Sequence, residues 1–252
     1  MVSPVPGALA QPSVSDADDG RLNPILALDG ANVYVRYVGM QAGQRVQAHW
    51  HGTSDAGSID TAWQTIPPTV PEFLYFEMAP FLVAANVGAT VDVSYTVERE
   101  GDSTRSASLS LTVTPFDAWE MPSPQLPDLG GSDRIEPDKL PNGLRVDLPR
   151  WYLAFEGQQL WLWCDGENGQ QLGEYLHYLR SAHRVTATEA AQGVSATVPP
   201  TWLKPLAHGS RLFIDYQVGF HEGARHAGRR VSFEVINPAA GHVSNTKNGE
   251  KS

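Results

Sequence analysis

The sequence predicts an all-β protein that is built from two tandem antiparallel β-sandwiches. Three observations support this prediction: frequent Gly and Pro residues, apolar residues that alternate with polar ones, and an internal repeat. The 252 residues include 23 Gly and 19 Pro, which favours many short strands joined by turns over long helices. With 41% hydrophobic residues, the chain is apolar enough to fold and long enough for two domains of ordinary size.

The internal repeat is found by comparing the chain with itself. Three groups of residues recur in the same order, at offsets of 113, 114 and 121 residues: Arg21-Leu22-Asn23-Pro24 with Arg134-Ile135-Glu136-Pro137, Gly43 and Gly52 with Gly157 and Gly166, and Gly88 and Tyr95 with Gly209 and Tyr216. The rise from 114 to 121 places an insertion of seven residues in the second copy. We expect this insertion near residues 174–184.

The predicted domain boundaries follow from this repeat. We expect a flexible N-terminal tail over residues 1–11, a first module over 12–115, a Pro-containing linker over 116–123, a second module over 124–237 and a flexible C-terminal tail over 238–252. Prolines within and beside the linker limit bending between the modules.

The strands of the first module are predicted in chain order from turn residues and alternation. They lie near residues 25–28, 31–38, 45–51, 63–66, 73–78, 90–97 and 107–113. The strand over 90–97 has the plainest pattern, because Val91, Val93, Tyr95 and Val97 alternate with polar residues. Such a period of two is typical of a strand with one buried face.

The second module repeats this series. Its strands are expected near 144–148, 151–155, 159–165, 175–185, 194–198, 212–218 and 231–235. About seven short antiparallel strands in each module are typical of a β-sandwich. Two Pro-led segments, 80–85 and 200–206, also fit a helical turn before the matched glycine.

The first module resembles a known family. Its Tyr37-Val38-Gly39-Met40, Gly43, Trp50-His51-Gly52, Gly88 and Tyr95-Thr96-Val97 are similar to the bacterial immunoglobulin-like repeats of surface proteins and adhesins, including the invasin and intimin type. The second module keeps the spacing, but Cys164 replaces Trp50 and the Gly-Met step is lost. The resemblance implies tandem immunoglobulin-like sandwiches that extend or present a surface, neighbouring repeats in a longer chain, a cell-surface or secreted location and no catalytic residues.

Charge and motifs restrict the function. The net charge of −10 disfavours binding to nucleic acid or to anionic membranes. No apolar run is long enough for membrane insertion, and the first 20 residues do not read as a signal peptide. The single cysteine excludes an internal disulfide, and no common catalytic or cofactor-binding motif occurs. We therefore expect a non-enzymatic protein without a cofactor.

His49 and His51 form a candidate metal site. They lie at positions i and i+2 of a predicted strand, so both imidazoles lie on one face, a spacing found in zinc and copper sites. If Trp50 faces the core, both histidines point outward, and the alternative is a solvated pair without a ligand function. No carboxylate or cysteine lies at a ligand spacing nearby in the sequence.

Trp161 and Trp163 form a candidate binding surface. Cys164 aligns with Trp50 and is predicted to face the core, so the two tryptophans point to the opposite face of their strand. Either the insertion, with Tyr175 and Tyr178, covers them as an extra strand or flap, or these aromatic residues form an exposed surface for a carbohydrate or protein partner.

The matched residues are expected to be structural. Trp50, Cys164, Tyr95 and Tyr216 occupy predicted core positions, while Gly88 and Gly209 precede matched strands. Each tyrosine fits the tyrosine corner of Greek-key sandwiches, in which the hydroxyl bonds to a backbone group a few residues away.

Overall fold

A computed structural model of the protein describes residues 8–169 and 175–240. These residues form two compact units, and most of their regular structure is β-sheet. Unit 1 comprises residues 8–116 with Phe220–Ala224, and unit 2 comprises the described residues of 117–219 and 225–240. Within the described residues, no helix combines the length and apolar character needed to cross a bilayer.

Unit 1 contains eleven strands and one α-helix, α1 (Pro80–Ala84). The strands are β1 (Ser13–Val14), β2 (Ala17–Asp18), β3 (Arg21–Leu22), β4 (Ala31–Val35), β5 (Arg45–His51), β6 (Ile59–Asp60), β7 (Gln64–Thr65), β8 (Leu74–Met78), β9 (Thr90–Arg99), β10 (Asp102–Arg105) and β11 (Leu109–Val113). They form a small sheet, β1-β4-β8, and a large sheet, β2-β3-β11-β9-β5-β6, in which β10 pairs with β9 and β7 with β5. Short 3-10 helices lie at Pro24–Ala27 and Asp55–Gly57.

Unit 2 contains the remaining described elements. The strands are β12 (Arg134–Ile135), β13 (Leu144–Leu148), β14 (Gln159–Gly166), β15 (Tyr175–Arg184), β16 (Val194–Val198), β17 (Arg211–His221), β18 (Ala224–Ala227) and β19 (Val231–Val235). The α-helices are α2 (Ala187–Gln192) and α3 (Pro200–Leu203), and 3-10 helices lie at Pro127–Leu129, Pro137–Lys139 and Pro238–Ala240. The large sheet has the order β12-β19-β17-β14-β15, with β18 on β17, and the small sheet pairs β13 with β16.

The large sheets of the two units share a strand order. The series β3-β11-β9-β5 in unit 1 corresponds to β12-β19-β17-β14 in unit 2. In each series the first pair is parallel and the others are antiparallel. The matched glycines also make the same bond: Gly88 N–H donates to Val113 O at 2.9 Å, and Gly209 N–H to Val235 O at 2.8 Å. Both have positive φ, +78° and +76°, a conformation that glycine adopts without steric cost.

A buried glutamine occupies the same place in both units. Gln44 Oε1 accepts a hydrogen bond of 2.6 Å from the Tyr37 hydroxyl, and Gln158 Oε1 accepts one of 3.0 Å from Trp151 Nε1. The amide nitrogens donate to the Gly39 and Leu153 carbonyls. The two glutamines are 114 residues apart and directly follow the matched Gly43 and Gly157. Each glutamine side chain therefore holds the loop that precedes its strand through hydrogen bonds.

The core of each unit follows the predicted alternation. The inward residues of the central strands are fully buried or nearly so. In unit 1, on β5 and β9, they are Val46, Ala48, Trp50, Val91, Val93, Tyr95 and Val97. In unit 2, on β14 and β17, they are Leu160, Leu162, Cys164, Leu212, Ile214, Tyr216 and Val218. Burial of these apolar side chains is the main favourable contribution to folding.

Two predicted strands are absent. Residues 25–28 overlap the 3-10 helix Pro24–Ala27, where Asn23 Oδ1 accepts a bond of 3.0 Å from Ile25 N–H; proline at the first helical position favours this turn. Residues 151–155 form a loop. Leu153 has a φ of +52°, and the Gln158 side chain, in place of a neighbouring strand, bonds to the Phe155 N–H and the Leu153 carbonyl. Both Pro-led segments are helical, as α1 and α3.

The predicted tails and linker need correction. Leu9 is buried, and its carbonyl accepts a hydrogen bond of 3.0 Å from Ala107 N–H, so the folded part of unit 1 starts before residue 12. In the predicted linker, Phe116 and Met121 are buried. These residues are therefore packed against the protein, unlike those of an exposed spacer. Pro238–Ala240 forms a 3-10 helix. The rest of both predicted tails, residues 1–7 and 241–252, lies outside the described residues.

Candidate functional site

The outer face of the large sheet in unit 2 carries the two predicted tryptophans. Trp161 and Trp163 lie on β14, where Leu160, Leu162 and Cys164 face the core. Cross-strand partners share a face, so Gln217 and Asp215 of β17, which pair with Trp161 and Trp163, lie on the outer face as well.

Trp161 is covered by an arginine. The guanidinium carbon of Arg225 on β18 lies 4.0 Å from the centroid of the Trp161 ring, a cation–π arrangement. Only 8% of Trp161 is exposed. The cover therefore comes from the β17–β18 hairpin, whereas the sequence predicted either the insertion as cover or an exposed ring.

The insertion forms β15, which extends the sheet beside β14. Its described part begins at Tyr175, and residues 170–174 lie outside the described residues. Trp163 pairs with Tyr178, and their ring centroids are 6.0 Å apart at an interplanar angle of 41°. Tyr178 is 54% exposed and Trp163 is half-buried. These two rings thus form an aromatic pair that is partly exposed to solvent. The prediction offered either full cover by the insertion or an exposed surface, and the pair lies between the two.

Tyr175 does not belong to this surface. It pairs with Gly166, on the core-facing side of β14, and its ring stacks on Trp202 at 4.7 Å with an interplanar angle of 4°. Its hydroxyl donates a hydrogen bond of 3.1 Å to Trp202 O, and burial raises its pKa. The predicted set of four aromatic residues is therefore divided between two faces of the sheet.

A second arginine completes the outer face. Arg230 Nε donates to Asp215 Oδ1 at 2.7 Å, and its guanidinium carbon lies 4.7 Å from the centroid of Phe213. The bond to Asp215 raises the pKa of Arg230. We call the group Trp161, Trp163, Tyr178, Phe213, Arg225 and Arg230 the aromatic–arginine face. Its flat rings and cations offer stacking contacts to sugar rings or to side chains of a protein.

Unit 1 carries an aromatic patch that the sequence reasoning missed. Tyr34 on β4 pairs with Tyr75 on β8, and Phe73 meets the Tyr34 ring edge-on at 5.1 Å. Phe73 and Tyr75 are exposed, while Leu74 and Phe76 are buried. The signal was the alternation of residues 73–78, in which both faces of the strand carry large apolar side chains.

His49 and His51 lie beside a carboxylate. Asp60 on β6 pairs directly with His49 on β5, and its Oδ1 lies 2.6 Å from His49 Nδ1 and 2.8 Å from His51 Nε2. Both histidines lie on the outer face, but the expectation that no carboxylate lies nearby is wrong. Asp60 is eleven residues away from His49 in sequence, and strand pairing brings them together.

The His–Asp cluster, His49, His51 and Asp60, has a buried and an exposed part. His49 is only 7% exposed, and its Nε2 lies 2.7 Å from Thr96 Oγ1. The side chains of His51 and Asp60 are about half exposed. The hydrogen bond from His49 holds the pKa of the Asp60 carboxyl below its usual value, with a smaller effect from His51. The cluster thus combines one fixed imidazole with two accessible groups.

The matched tyrosines differ in their hydrogen bonds. Tyr216 donates a bond of 2.7 Å to Pro122 O, 94 residues earlier in the chain, whereas a tyrosine corner requires a backbone acceptor a few residues away. Tyr95 is fully buried, and its hydroxyl has no hydrogen-bond partner among the described residues. The tyrosine-corner prediction is therefore wrong for both residues.

The cysteine and the matched tryptophan lie in the cores. Trp50 and Cys164 are fully buried. Burial is the main cause that raises the pKa of the Cys164 thiol, with a smaller effect from Asp215. Since the thiolate is the reactive form, Cys164 is unsuited to act as a nucleophile at neutral pH.

No family model matches the chain, and no curated protein does. Among solved structures, the chain is similar to a Ca2+-stabilised adhesin that helps an Antarctic bacterium bind ice, at 14% identity and a TM-score of 0.30, with 92% of this chain and 50% of that chain covered. It is also similar to a 1.5-MDa bacterial ice-binding adhesin, at 13% identity and a TM-score of 0.30, with 91% and 65% covered. A third similar structure contains the FN1–FN3 domains of chicken CNTN1, at 8% identity and a TM-score of 0.25, with 92% and 66% covered. This chain therefore spans between half and two thirds of each of them.

Proposed function

We propose that the chain is a non-enzymatic structural and adhesive module, built as two tandem immunoglobulin-like β-sandwiches of a bacterial surface or secreted protein. The observation that carries this proposal is the shared strand order of the two large sheets, with the same parallel pair and the same glycine bond in each. Each unit also has a small sheet, β1-β4-β8 or β13-β16, that supplies the second layer of the proposed sandwich.

The buried glutamines support the tandem repeat. Gln44 and Gln158 bond an aromatic side chain and a loop carbonyl in the same manner. A specific polar arrangement inside a core is a stronger sign of common descent than apolar burial alone, because many apolar residues can fill a core equally well. We infer that one ancestral module was duplicated and that β15 was added to the second copy.

The non-enzymatic role rests on the chemistry of the residues. The only thiol is buried, and the net charge of −10 opposes nucleic acid and anionic membranes as partners. The surface or secreted location, the bacterial source and the neighbouring repeats follow from the resemblance of residues 37–97 to bacterial immunoglobulin-like repeats.

An adhesion assay tests this function. Beads coated with the full chain are allowed to settle on bacterial and animal cells, and the fraction retained under increasing flow is compared with beads that carry an unrelated protein of equal net charge. We expect greater retention of the coated beads on at least one cell type. Equal retention on all of them contradicts the adhesive role.

The aromatic–arginine face favours a second candidate function, binding of a carbohydrate or a protein. The exposed Tyr178 ring beside Trp163 carries this candidate. A glycan array and surface pull-down with the intact chain and with Tyr178→Ala test it, and Tyr75→Ala in unit 1 serves as the matched control. Binding lost only in Tyr178→Ala supports the face as the site, and binding equal in all three proteins excludes it.

A further inference from the structure

Three metal-ligating atoms converge on the outer face of the large sheet in unit 1. His49, His51 and Asp60 each offer one ligand atom within 4.8 Å of the others, and Asp60 Oδ1 lies 2.6 Å from His49 Nδ1 and 2.8 Å from His51 Nε2. Two neighbouring strands supply them, β5 with both histidines and β6 with the carboxylate. We propose that His49, His51 and Asp60 bind a divalent transition-metal ion, with Zn2+ as the preferred ion.

The ligand set selects the class of ion. Two imidazoles and one carboxylate are typical ligands of Zn2+ and other late first-row metals, whereas Ca2+ and Mg2+ prefer sites made entirely of oxygen ligands. Three protein ligands leave the fourth tetrahedral position for water. The exposed sides of His51 and Asp60 provide the path by which the ion and this water enter.

The distances between the three ligand atoms indicate which side chains must move when the ion binds. The two histidine nitrogens lie 2.6 and 2.8 Å from the same oxygen of Asp60, which are hydrogen-bond distances. Around a tetrahedral zinc with bonds of about 2.1 Å, neighbouring ligand atoms lie about 3.4 Å apart. The ion therefore replaces the shared protons as the exposed side chains of His51 and Asp60 move outward, and binding releases protons.

The buried ligand is held in position from behind. His49 Nε2 lies 2.7 Å from Thr96 Oγ1 on β9, and the neighbouring β-strand backbone pairs His49 with Ser94. Without metal, the Nδ1 proton bridges to Asp60. Once the ion displaces that proton, Nε2–H donates to Thr96 and the lone pair of Nδ1 binds the metal. Metal-binding histidines commonly have such a partner for the second ring nitrogen, so Thr96 acts as a positioning residue.

The charges around the cluster favour a cation. Asp60 on β6 places one carboxylate beside both histidines. Asp92 on β9 pairs with His51 and adds a second carboxylate on this face. Arg105 bonds to Ser94 Oγ through Nε and Nη2, at 3.1 and 2.9 Å, and is the neighbouring positive charge. The two carboxylates outnumber this arginine.

Calorimetric titration of ZnCl2 into the full chain tests the site. The protein is made without a histidine tag, and bound metal is removed with a chelator. We expect saturable binding of one zinc ion per chain at pH 7.5 and no competition by excess Ca2+ or Mg2+. His51→Asn and Asp60→Asn should each raise the Kd at least about tenfold, and Thr96→Val should raise it about tenfold through His49.

His183→Asn is the matched control. His183 Nε2 bonds to both carboxylate oxygens of Glu189, and within the described part of the chain this histidine–carboxylate pair has no third metal ligand. Its replacement should leave the zinc Kd unchanged. A His183→Asn variant that loses zinc binding as fully as His51→Asn overturns the proposal, and so does the absence of saturable zinc binding.

NMR of the imidazole nitrogens in the unmodified chain tests the site without any substitution. Its result therefore does not depend on whether a variant folds. Zinc should shift the 15N resonances of Nδ1 in one histidine and of Nε2 in another, as expected for His49 and His51. If zinc shifts the resonances of other histidines and leaves these two unchanged, the cluster is not the site.

Discussion

The Tyr216 hydroxyl donates a hydrogen bond of 2.7 Å to the carbonyl oxygen of Pro122, 94 residues earlier in the chain. The segment that precedes the β-strands of unit 2 is thereby bonded to the core strand β17. Tyr95, at the corresponding position of unit 1, has a buried hydroxyl without a partner among the described residues. The same residue at matched positions thus has different energetic consequences.

Phenylalanine at these two positions is expected to act in opposite ways. Tyr216→Phe removes a hydrogen bond and leaves a carbonyl without its partner, at a cost of about 1 kcal/mol or more. Tyr95→Phe should cost nothing and can stabilise unit 1 by up to about 1 kcal/mol, since it removes an unpaired polar atom from the core. Urea unfolding followed by tryptophan fluorescence measures both. Equal losses in the two variants contradict this account.

The buried Gln158 is expected to be essential for the stability of unit 2. Gln158→Leu removes the partners of Trp151 Nε1, Phe155 N–H and Leu153 O, and we expect a loss of about 3 kcal/mol because these groups stay in or near the core. Gln125→Leu, at an exposed position, should change stability by less than about 0.5 kcal/mol. Chemical denaturation compares the two variants, and a similar loss in both excludes a special role for Gln158.

Arg225 is expected to shield Trp161 from solvent. Arg225→Ala should expose the indole and cost about 0.5 to 1 kcal/mol, the usual contribution of a cation–π contact near the surface. The 19F spectrum of 5-fluorotryptophan-labelled protein reports the change, with the resonance assigned through Trp161→Phe. Arg229→Ala, a neighbouring exposed arginine, is the control and should leave that resonance in place. An unchanged Trp161 resonance in Arg225→Ala excludes shielding by this arginine.

Glu189 is expected to make unit 2 less stable in acid. Its side chain bonds to Thr186 and His183 at the start of α2. Burial raises the pKa of this carboxyl, but these hydrogen bonds outweigh burial and lower it below its ordinary value of 4.5. The ionised form is thus favoured in the folded state, so its contribution is complete above pH 4.5 and is lost as the pH falls through the lowered folded-state pKa.

Glu189→Gln tests this pH dependence. The variant should lower the urea midpoint clearly at pH 7 and by less at pH 3, because the carboxyl of the unmodified protein takes up a proton as the pH falls through its lowered folded-state pKa. Glu167→Gln, at an exposed position, should have a small effect at both values. A midpoint difference for Glu189→Gln that is the same at pH 7 and pH 3 contradicts the assigned role.

Residue order was sufficient to predict the β-rich character and the face on which each strand residue lies. A strand places successive side chains on opposite faces, so the apolar residues 160, 162 and 164 define the core side and turn Trp161 and Trp163 outward. The spacing of Gly88, Tyr95, Gly209 and Tyr216 likewise indicated two related halves. These properties depend on local alternation and on repeat spacing, both of which can be read directly from the chain.

Only the tertiary structure decided which groups meet. Asp60 reaches the histidines through the pairing of β6, a strand of two residues without alternation, and Arg225 reaches Trp161 from a hairpin 64 residues away. Pro122 bonds to Tyr216, while Tyr95 has no such partner among the described residues. Strand pairing, register and loop placement depend on the packing of the whole unit. The sequence by itself therefore determined the alternation of faces and the repeat, and packing determined the His–Asp cluster, the cover over Trp161 and the bond from Tyr216 to Pro122.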